Sequence, residues 1–205
     1  VGILTSDKIK EYFLKSSDDK LIVTPILDPD TQLGLTTIDL RLGPKFKVDL
    51  RTREPVIDLN DERPIETFFD HTYRNFGERF LLYPNQLVLA STFEYVKLPK
   101  DLFGLLITRS SWNRLGINLT SIVQPGYAGV LTLELMNKSS NPIALYVGLR
   151  LVQLCLFTVE GTNSDQYITQ SISKYVAHSE PKTSNISEDK DIEILNNKFR
   201  NTIRH

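Results

Sequence analysis

Two short stretches of this chain gather residue types that can do chemistry. The first is Thr108-Arg109-Ser110-Ser111-Trp112-Asn113-Arg114-Leu115-Gly116, directly after the apolar run Leu102 to Ile107. A strand that ends in Arg-Ser-Ser and turns into a short helix offers hydroxyls, first-turn backbone N–H groups and a guanidinium at one point, the combination that holds phosphate. The same residues also suit an ordinary surface turn, with Ser110 or Ser111 capping the helix and Arg109 and Arg114 solvated. The second stretch is Val123-Gln124-Pro125-Gly126-Tyr127-Ala128-Gly129, running into Val130 to Asn137. Pro-Gly makes a turn, and the strand after it places Leu131, Leu133 and Leu135 on one face and Val130, Thr132, Glu134 and Met136 on the other. A half-buried carboxylate at Glu134 would have the raised pKa that suits a general base, whereas on the wet face of an antiparallel sheet it is simply solvated.

Other chemistries are disfavoured by composition. Cys155 is the single cysteine, and the three histidines, His71, His178 and His205, show no metal-ligand spacing. That leaves no disulfide framework, and no zinc site is expected, so hydrolytic chemistry would fall to side-chain acids and bases. With 24 Lys and Arg against 25 Asp and Glu, the net charge is -1. An anionic ligand must therefore be met by a local basic pocket, and nucleic acid is not an expected partner. No apolar run approaches the ~18 residues of a membrane span. Val1 to Thr5 does not read as a secretory signal, so a cytoplasmic location is expected.

The elements that must position these residues are mostly strands. A chain of 205 residues, 40% hydrophobic and 24% charged, is sized for one domain with a substantial core. Thr5-Ser6-Asp7 followed by Lys8 to Lys15 reads as a capped short helix with Ile9, Tyr12 and Phe13 as its apolar stripe. From Leu21 to about Phe157, short β-rich runs are punctuated by Pro, Gly, Asn and Asp, which predicts an all-β barrel or double-layer sandwich. Lys47 to Tyr83 is the least regular part, a long excursion with one hairpin. After Phe157 the chain turns polar until Ile192, Leu195 and Phe199, whose spacing suits a terminal helix. The expected organisation is a β domain over 1–160 and a covering tail with its short helix over 161–205.

Taken together, four motifs resemble the dCTP deaminase branch of the trimeric dUTPase superfamily. They are Thr37-Ile38-Asp39-Leu40-Arg41-Leu42-Gly43; Arg109-Ser110-Ser111 with Arg114-Leu115-Gly116; Pro125-Gly126-Tyr127 and Gly129 with Glu134 downstream; and Gly148 with Arg150-Leu151 and Gln153-Leu154. Tyr167 and Ser173-Lys174-Tyr175 resemble the family's closing tail. The resemblance implies a mainly β fold, a distorted dUTPase-like barrel with a short N-terminal helix and a polar C-terminal tail. It further implies a homotrimer with three sites at subunit interfaces and a zinc-free hydrolytic deamination of dCTP to dUTP and ammonia. Glu134 would activate the water, and Ser110 and Arg114 would come from the neighbouring subunit. Arg109, Ser111, Gln124, Gln153, Tyr167, Lys174 and Tyr175 would bind the nucleotide, with Mg2+ carried on its triphosphate.

Three features depart from that pattern. The loop from Gly116 to Pro125 is short, Gln124 stands where the superfamily commonly has Asp, and His178 and Glu180 replace the usual Gln and Gly of the tail. Three functions are therefore in play: a dCTP deaminase, a dUTP pyrophosphatase or bifunctional enzyme taking dCTP to dUMP, and a catalytically silent nucleotide sensor. The missing Asp counts against pyrophosphatase chemistry, and Glu134 counts for deamination.

Overall fold

In the computed structural model the described residues are 2–16, 19–50, 64–161, 180–184, 186, 194 and 198. They form two compact units, a larger one of Val1–Val48 and His71–Lys182 and a smaller one of Asp49–Asp70 and Thr183–His205. Within the smaller unit, Ile65–Phe68 forms a 3-10 turn, the Leu50 amide donates to the Phe68 carbonyl at 2.8 Å, and the Thr183 hydroxyl meets the Glu66 carboxylate.

The larger unit carries the sheet. Alternating apolar residues, β-branched and leucine-rich, build β1 (Ile22–Thr24), β2 (Thr37–Asp49), β3 (Phe69–Tyr73), β4 (Arg79–Leu82), β5 (Leu87–Lys97) and β6 (Leu102–Thr108). After these come β7 (Ile117–Asn118), β8 (Thr120–Val123), β9 (Ala128–Asn137), β10 (Ile143–Tyr146) and β11 (Arg150–Thr158). Nine strands run in the order β7-β9-β5-β2-β11-β6-β8, with β1 added on β5 and β3 on β2, while β4 and β10 make a separate pair. The two ends of that path, β7 and β8, are separated in sequence only by Leu119. Consecutive Cα atoms are about 3.8 Å apart, so the sheet must curl until its two edges nearly meet, as the barrel expectation requires.

β2 is the seam. Its first part pairs with β11, from Thr37 opposite Cys155 to Arg41 opposite Arg150, and its second part crosses to β5, from Leu42 opposite Thr92 to Val48 opposite Val88. The change of partner coincides with register shifts at Leu42/Phe46 on β2 and Ser91/Tyr95 on β5. Gly43 makes that crossing possible, because a Cβ there would lie 2.6 Å from the Thr92 carbonyl and 2.6 Å from the Ser91 hydroxyl. Leu40, Leu42, Leu133, Leu154 and the stacked pair Phe46–Phe80, at 4.3 Å between ring centroids, fill the interior.

Three expectations need correction. α1 (Ser6–Leu14) forms with Ile9 and Tyr12 buried, but Thr5 supplies only its carbonyl, to the Ile9 amide at 2.9 Å, and no side-chain cap. β3 and β4 are not a hairpin, since one pairs with β2 and the other with β10. The segment Gly116 to Pro125 is not a plain loop but contains the two edge strands β7 and β8. The terminal helix expected around Ile192, Leu195 and Phe199 falls outside the described residues, and no helix among the described residues is long and apolar enough to cross a membrane.

The crossing at Gly43 predicts a measurable penalty. Gly43→Ala should destabilise the fold by roughly 1–3 kcal/mol, because the overlap is with backbone and cannot be relieved by a rotamer change. A lowered urea midpoint at unchanged m-value checks this, and an unaltered midpoint would contradict it.

Candidate functional site

The chemistry collects where β6 ends and β11 begins, beside the first part of β2. Asp39, mid-way along the first part of β2, is buried, and β11 places Gln153 directly opposite it. Its Oδ1 accepts a hydrogen bond from Gln153 Nε2 at 3.0 Å, and its Oδ2 is shared by Arg109 Nε at 3.0 Å and Arg150 Nη1 at 3.3 Å. Arg150 Nη1 also donates to the Thr31 carbonyl. One buried carboxylate thus balances two half-exposed guanidiniums and sets their direction, a geometry in which charge-assisted contacts are strong.

Arg109 is the last residue before α3 (Ser110–Arg114), which begins directly at the end of β6. The Arg109 carbonyl accepts from the Trp112 and Asn113 amides at 2.9 and 3.0 Å, and the Trp112 indole N–H donates to the Arg150 carbonyl at 3.0 Å. The hydroxyls of Ser110 and Ser111 make no cap bond, since the chain enters α3 through Arg109. A short α2 (Pro29–Gln32) closes the opposite side. Between these elements lies a cleft of about 550 Å³ whose walls include Arg41, Arg109, Arg150, Ser111, Trp112 and Thr31. Asp28 stands at its rim, its carboxyl held below the usual range by the Thr31 hydroxyl hydrogen bond.

Of the residues singled out from the sequence, Arg109 and Ser111 line this cleft and Gln153 reaches it through Asp39. Ser110, Arg114, Gln124 and Glu134 are exposed and do not line it. Glu134 lies on β9 opposite Leu89, with Leu131, Leu133 and Leu135 buried on the other face as the alternation requires. The backbone of the tail touches that strand, for the Lys182 amide donates to the Thr132 hydroxyl at 3.2 Å, while Glu180 pairs with Lys45 at 2.9 Å. Tyr167, Lys174 and Tyr175 lie outside the described residues.

Arg41, Asp39, Arg150 and Trp112 were not assigned roles from the sequence. Asp39, Arg41 and Arg150 sit inside quoted motifs, but only the pairing of β2 with β11 brings them together. Glu94 lies outside those motifs altogether. It is fully buried on β5, and burial pushes its carboxyl up to about 7 despite the Arg41 amide and guanidinium beside it.

The comparisons with known proteins agree with one another. Residues 3–159 match the family model described as dCTP deaminase-like. A Methanobrevibacter smithii protein named dCTP deaminase, dUMP-forming, is 35% identical over 196 residues, covering 94% of this chain and 99% of its own length. A Haloarcula marismortui protein named dCTP deaminase is 37% identical over 175 residues, 83% of this chain and 89% of its own. The crystal structure of a 2'-deoxycytidine 5'-triphosphate deaminase from Agrobacterium tumefaciens superposes with a TM-score of 0.59 at 22% identity, over 84% of this chain. This chain spans about half, 53%, of that structure's length, and the likeness supports the mainly β fold.

A raised carboxyl has a signed consequence for stability. Glu94 keeps its proton up to about 7 when folded but loses it near 4.5 when unfolded, so the folded state binds more protons between those values. Its contribution is complete below about pH 4.5 and is lost as pH rises through about 7, by on the order of 3 kcal/mol. Unfolding free energies of wild type and Glu94→Gln should therefore converge toward the variant's favour between pH 5 and 8, an interval of about 3 units. A difference that stays constant across that range would contradict the buried titration.

Proposed function

The chain belongs to the dCTP deaminase-like family, and from that premise we propose that it hydrolyses the exocyclic amine of dCTP, with Glu134 as general base. The observation that carries this reading is the cleft in which Arg41, Arg109 and Arg150 meet Ser111 at the end of β6, in a chain whose net charge is only -1. Three guanidiniums backed by two buried carboxylates, Asp39 behind Arg109 and Arg150 and Glu94 behind Arg41, suit a polyanion such as a triphosphate. Water adds to C4 of cytosine as Glu134 takes one of its protons and passes it to the ring nitrogen; the second proton, from the new C4 hydroxyl, is carried by Glu134 to the exocyclic amine, and the C4–N bond breaks to release ammonia as the C4 carbonyl forms.

The machinery is divided in a way that suits an assembly. Arg109, Ser111 and, through Asp39, Gln153 serve the phosphates in one chain. Glu134, Ser110 and Arg114 are exposed in the single chain and await a neighbouring copy, consistent with a homotrimer whose sites lie between subunits. Gln124 lies at the turn after β8, its carbonyl accepting from the Tyr127 amide at 3.1 Å, and by the resemblance would stand beside the sugar. By the family resemblance, Tyr167, Lys174 and Tyr175 would bind the nucleotide as well. Mg2+ would be carried on the triphosphate and offset its charge, while Asp39, engaged by Arg109, Arg150 and Gln153, orients the cleft's guanidiniums. No zinc takes part.

Two products are distinguished by one position. Gln124 cannot act as the carboxylate that the resemblance links to pyrophosphate hydrolysis, which favours dUTP. The names of the relatives from Methanobrevibacter smithii and Dictyoglomus thermophilum, each dUMP-forming, favour dUMP. Incubation with dCTP and Mg2+ followed by separation of dCTP, dUTP and dUMP decides between them, and unchanged dCTP would sink the deaminase reading. Glu134→Gln should bind dCTP normally and lose roughly 100-fold or more in rate; turnover at the wild-type rate would remove Glu134 from its role.

The shared site makes a further demand. Inactive Glu134→Gln and inactive Arg114→Ala subunits, once exchanged into mixed trimers, should regain activity at sites that pair one intact Glu134 with one intact Arg114. Verified exchange without recovery would place the whole site within one chain.

A further inference from the structure

Glu94 poses a question that the proposed chemistry leaves unanswered. An ionised carboxylate with no exposure costs several kcal/mol unless it is paired and hydrogen-bonded. Its Oε2 accepts the Arg41 main-chain N–H at 2.8 Å, and its Oε1 accepts Gln32 Nε2 at 3.1 Å and lies 3.9 Å from Arg41 Nε. Gln32, also fully buried, completes the frame: its Nε2 donates to the Asp39 carbonyl at 3.2 Å, and its Oε1 accepts from Arg41 Nη2 at 3.4 Å. The same Oε1 accepts the Leu27 and Asp28 amides at 2.8 and 3.1 Å. Arg41 Nη1 donates to the Gly148 carbonyl at 2.9 Å, which leaves Nε, buried beside Glu94, as the guanidinium nitrogen without a hydrogen-bond acceptor.

Every part of this frame converges on Arg41, and Arg41 is a wall of the cleft. An arginine carries about 2 kcal/mol of rotamer entropy, which a ligand would otherwise have to overcome on binding. Here that freedom is already removed by one carboxylate, one amide and one carbonyl from three separate elements. The charged group facing the Glu94 carboxylate is Arg41 itself, from β2, while α2 presents the neutral amide of Gln32 and β5 the Thr92 hydroxyl, which is turned to the Glu94 carbonyl at 2.7 Å.

We propose that Glu94 is a positioning residue for anion binding: from behind the sheet it holds the backbone and guanidinium of Arg41 so that Arg41 meets the ligand's phosphates in a fixed orientation. The inference rests on reading the cleft as the triphosphate site. It differs from a packing role because the group through which the Glu94–Gln32 frame meets the anion is Arg41, so the effect of Glu94 on anion binding must vanish when Arg41 is absent.

The chain's single tryptophan, Trp112, lines the cleft and supplies a fluorescence signal for titration with inorganic tripolyphosphate. Both Glu94 oxygens are acceptors, so Glu94→Gln must turn an amide N–H toward either the Arg41 N–H or the Gln32 amide and release the frame. At about pH 8, where the carboxyl is ionised, Glu94→Gln should weaken tripolyphosphate binding about tenfold, and Arg41→Ala at least as much. The double variant should be no more than about twofold weaker than Arg41→Ala, and Glu94→Asp should recover part of the loss. In turnover, KM for dCTP should rise about tenfold in Glu94→Gln with kcat within about twofold of wild type.

Wild-type affinity in Glu94→Gln, or single losses that multiply in the double variant, overturns the proposal. If Arg41→Ala and Arg109→Ala both bind tripolyphosphate normally, the cleft reading falls as well; if they bind weakly while Glu94→Gln does not, only the positioning role falls. Should Glu94→Gln fail to fold, the ligand-free wild type decides. An Arg41 Nε–H order parameter near that of rigid backbone, about 0.85, upholds the proposal, and one below about 0.6 refutes it.

Discussion

The pairing of Asp39 with two guanidiniums is the interaction on which the rest of the site depends. Arg109, between β6 and α3, and Arg150, at the start of β11, would repel one another in a cleft without a counter-ion. One buried carboxylate at 3.0 and 3.3 Å holds both, and Gln153 at 3.0 Å fixes the carboxylate in turn. Removing one partner of such a cluster exposes the others to an uncompensated charge, so the arrangement is stable only as a whole. The basic cleft is therefore a consequence of buried acids placed one layer behind it, Asp39 for two arginines and Glu94 for the third.

That placement is a matter of sheet geometry. β2 changes partner from β11 to β5 within a few residues, and the crossing puts Asp39 beside Arg150 of β11, within reach of Arg109 after β6, and Arg41 over the carboxylate of β5. A regular strand would keep one neighbour on each side and one register, and could not serve both carboxylates. The irregularity costs ladder hydrogen bonds, which local groups replace: the Thr92 hydroxyl takes the Leu131 amide at 2.9 Å and donates to the Glu94 carbonyl at 2.7 Å. Gly43 is the residue that lets the backbones approach closely enough for this.

The exposed half of the proposed machinery has the opposite character. Glu134 stands on a strand whose other face is leucine, and Ser110 and Arg114 project from a helix of five residues with no buried member. Their rigidity comes from the scaffold under them, and their chemistry requires a partner surface that excludes water. In the proposed site, a basic cleft apart from an exposed base separates binding from reaction, so that anion affinity and catalytic rate would respond to different residues.

The sequence by itself determined the strand content, the short helix with Ile9 and Tyr12 inward, the Arg-Ser-Ser turn into α3, and the alternation that leaves Glu134 opposite three leucines. Each of these is local, set by periods of 2 or 3.6 residues and by turn chemistry that a few neighbours fix. The motifs also carried the family resemblance and with it the candidate residues. What only the tertiary structure decided is long-range: that β2 is shared between β11 and β5, that β7 and β8 rather than a plain loop form the edges where the sheet nearly closes, and that β3 and β4 take different partners. Glu94 shows the physical reason. In sequence its period-2 spacing puts it in step with Val88, Ala90 and Val96, on the inward face where a lone acid is out of character, and nothing local names a partner for it. Its 0% exposure and its partners, Arg41 and Gln32, arise from contacts 53 and 62 residues away, which become definite only when the chain is folded.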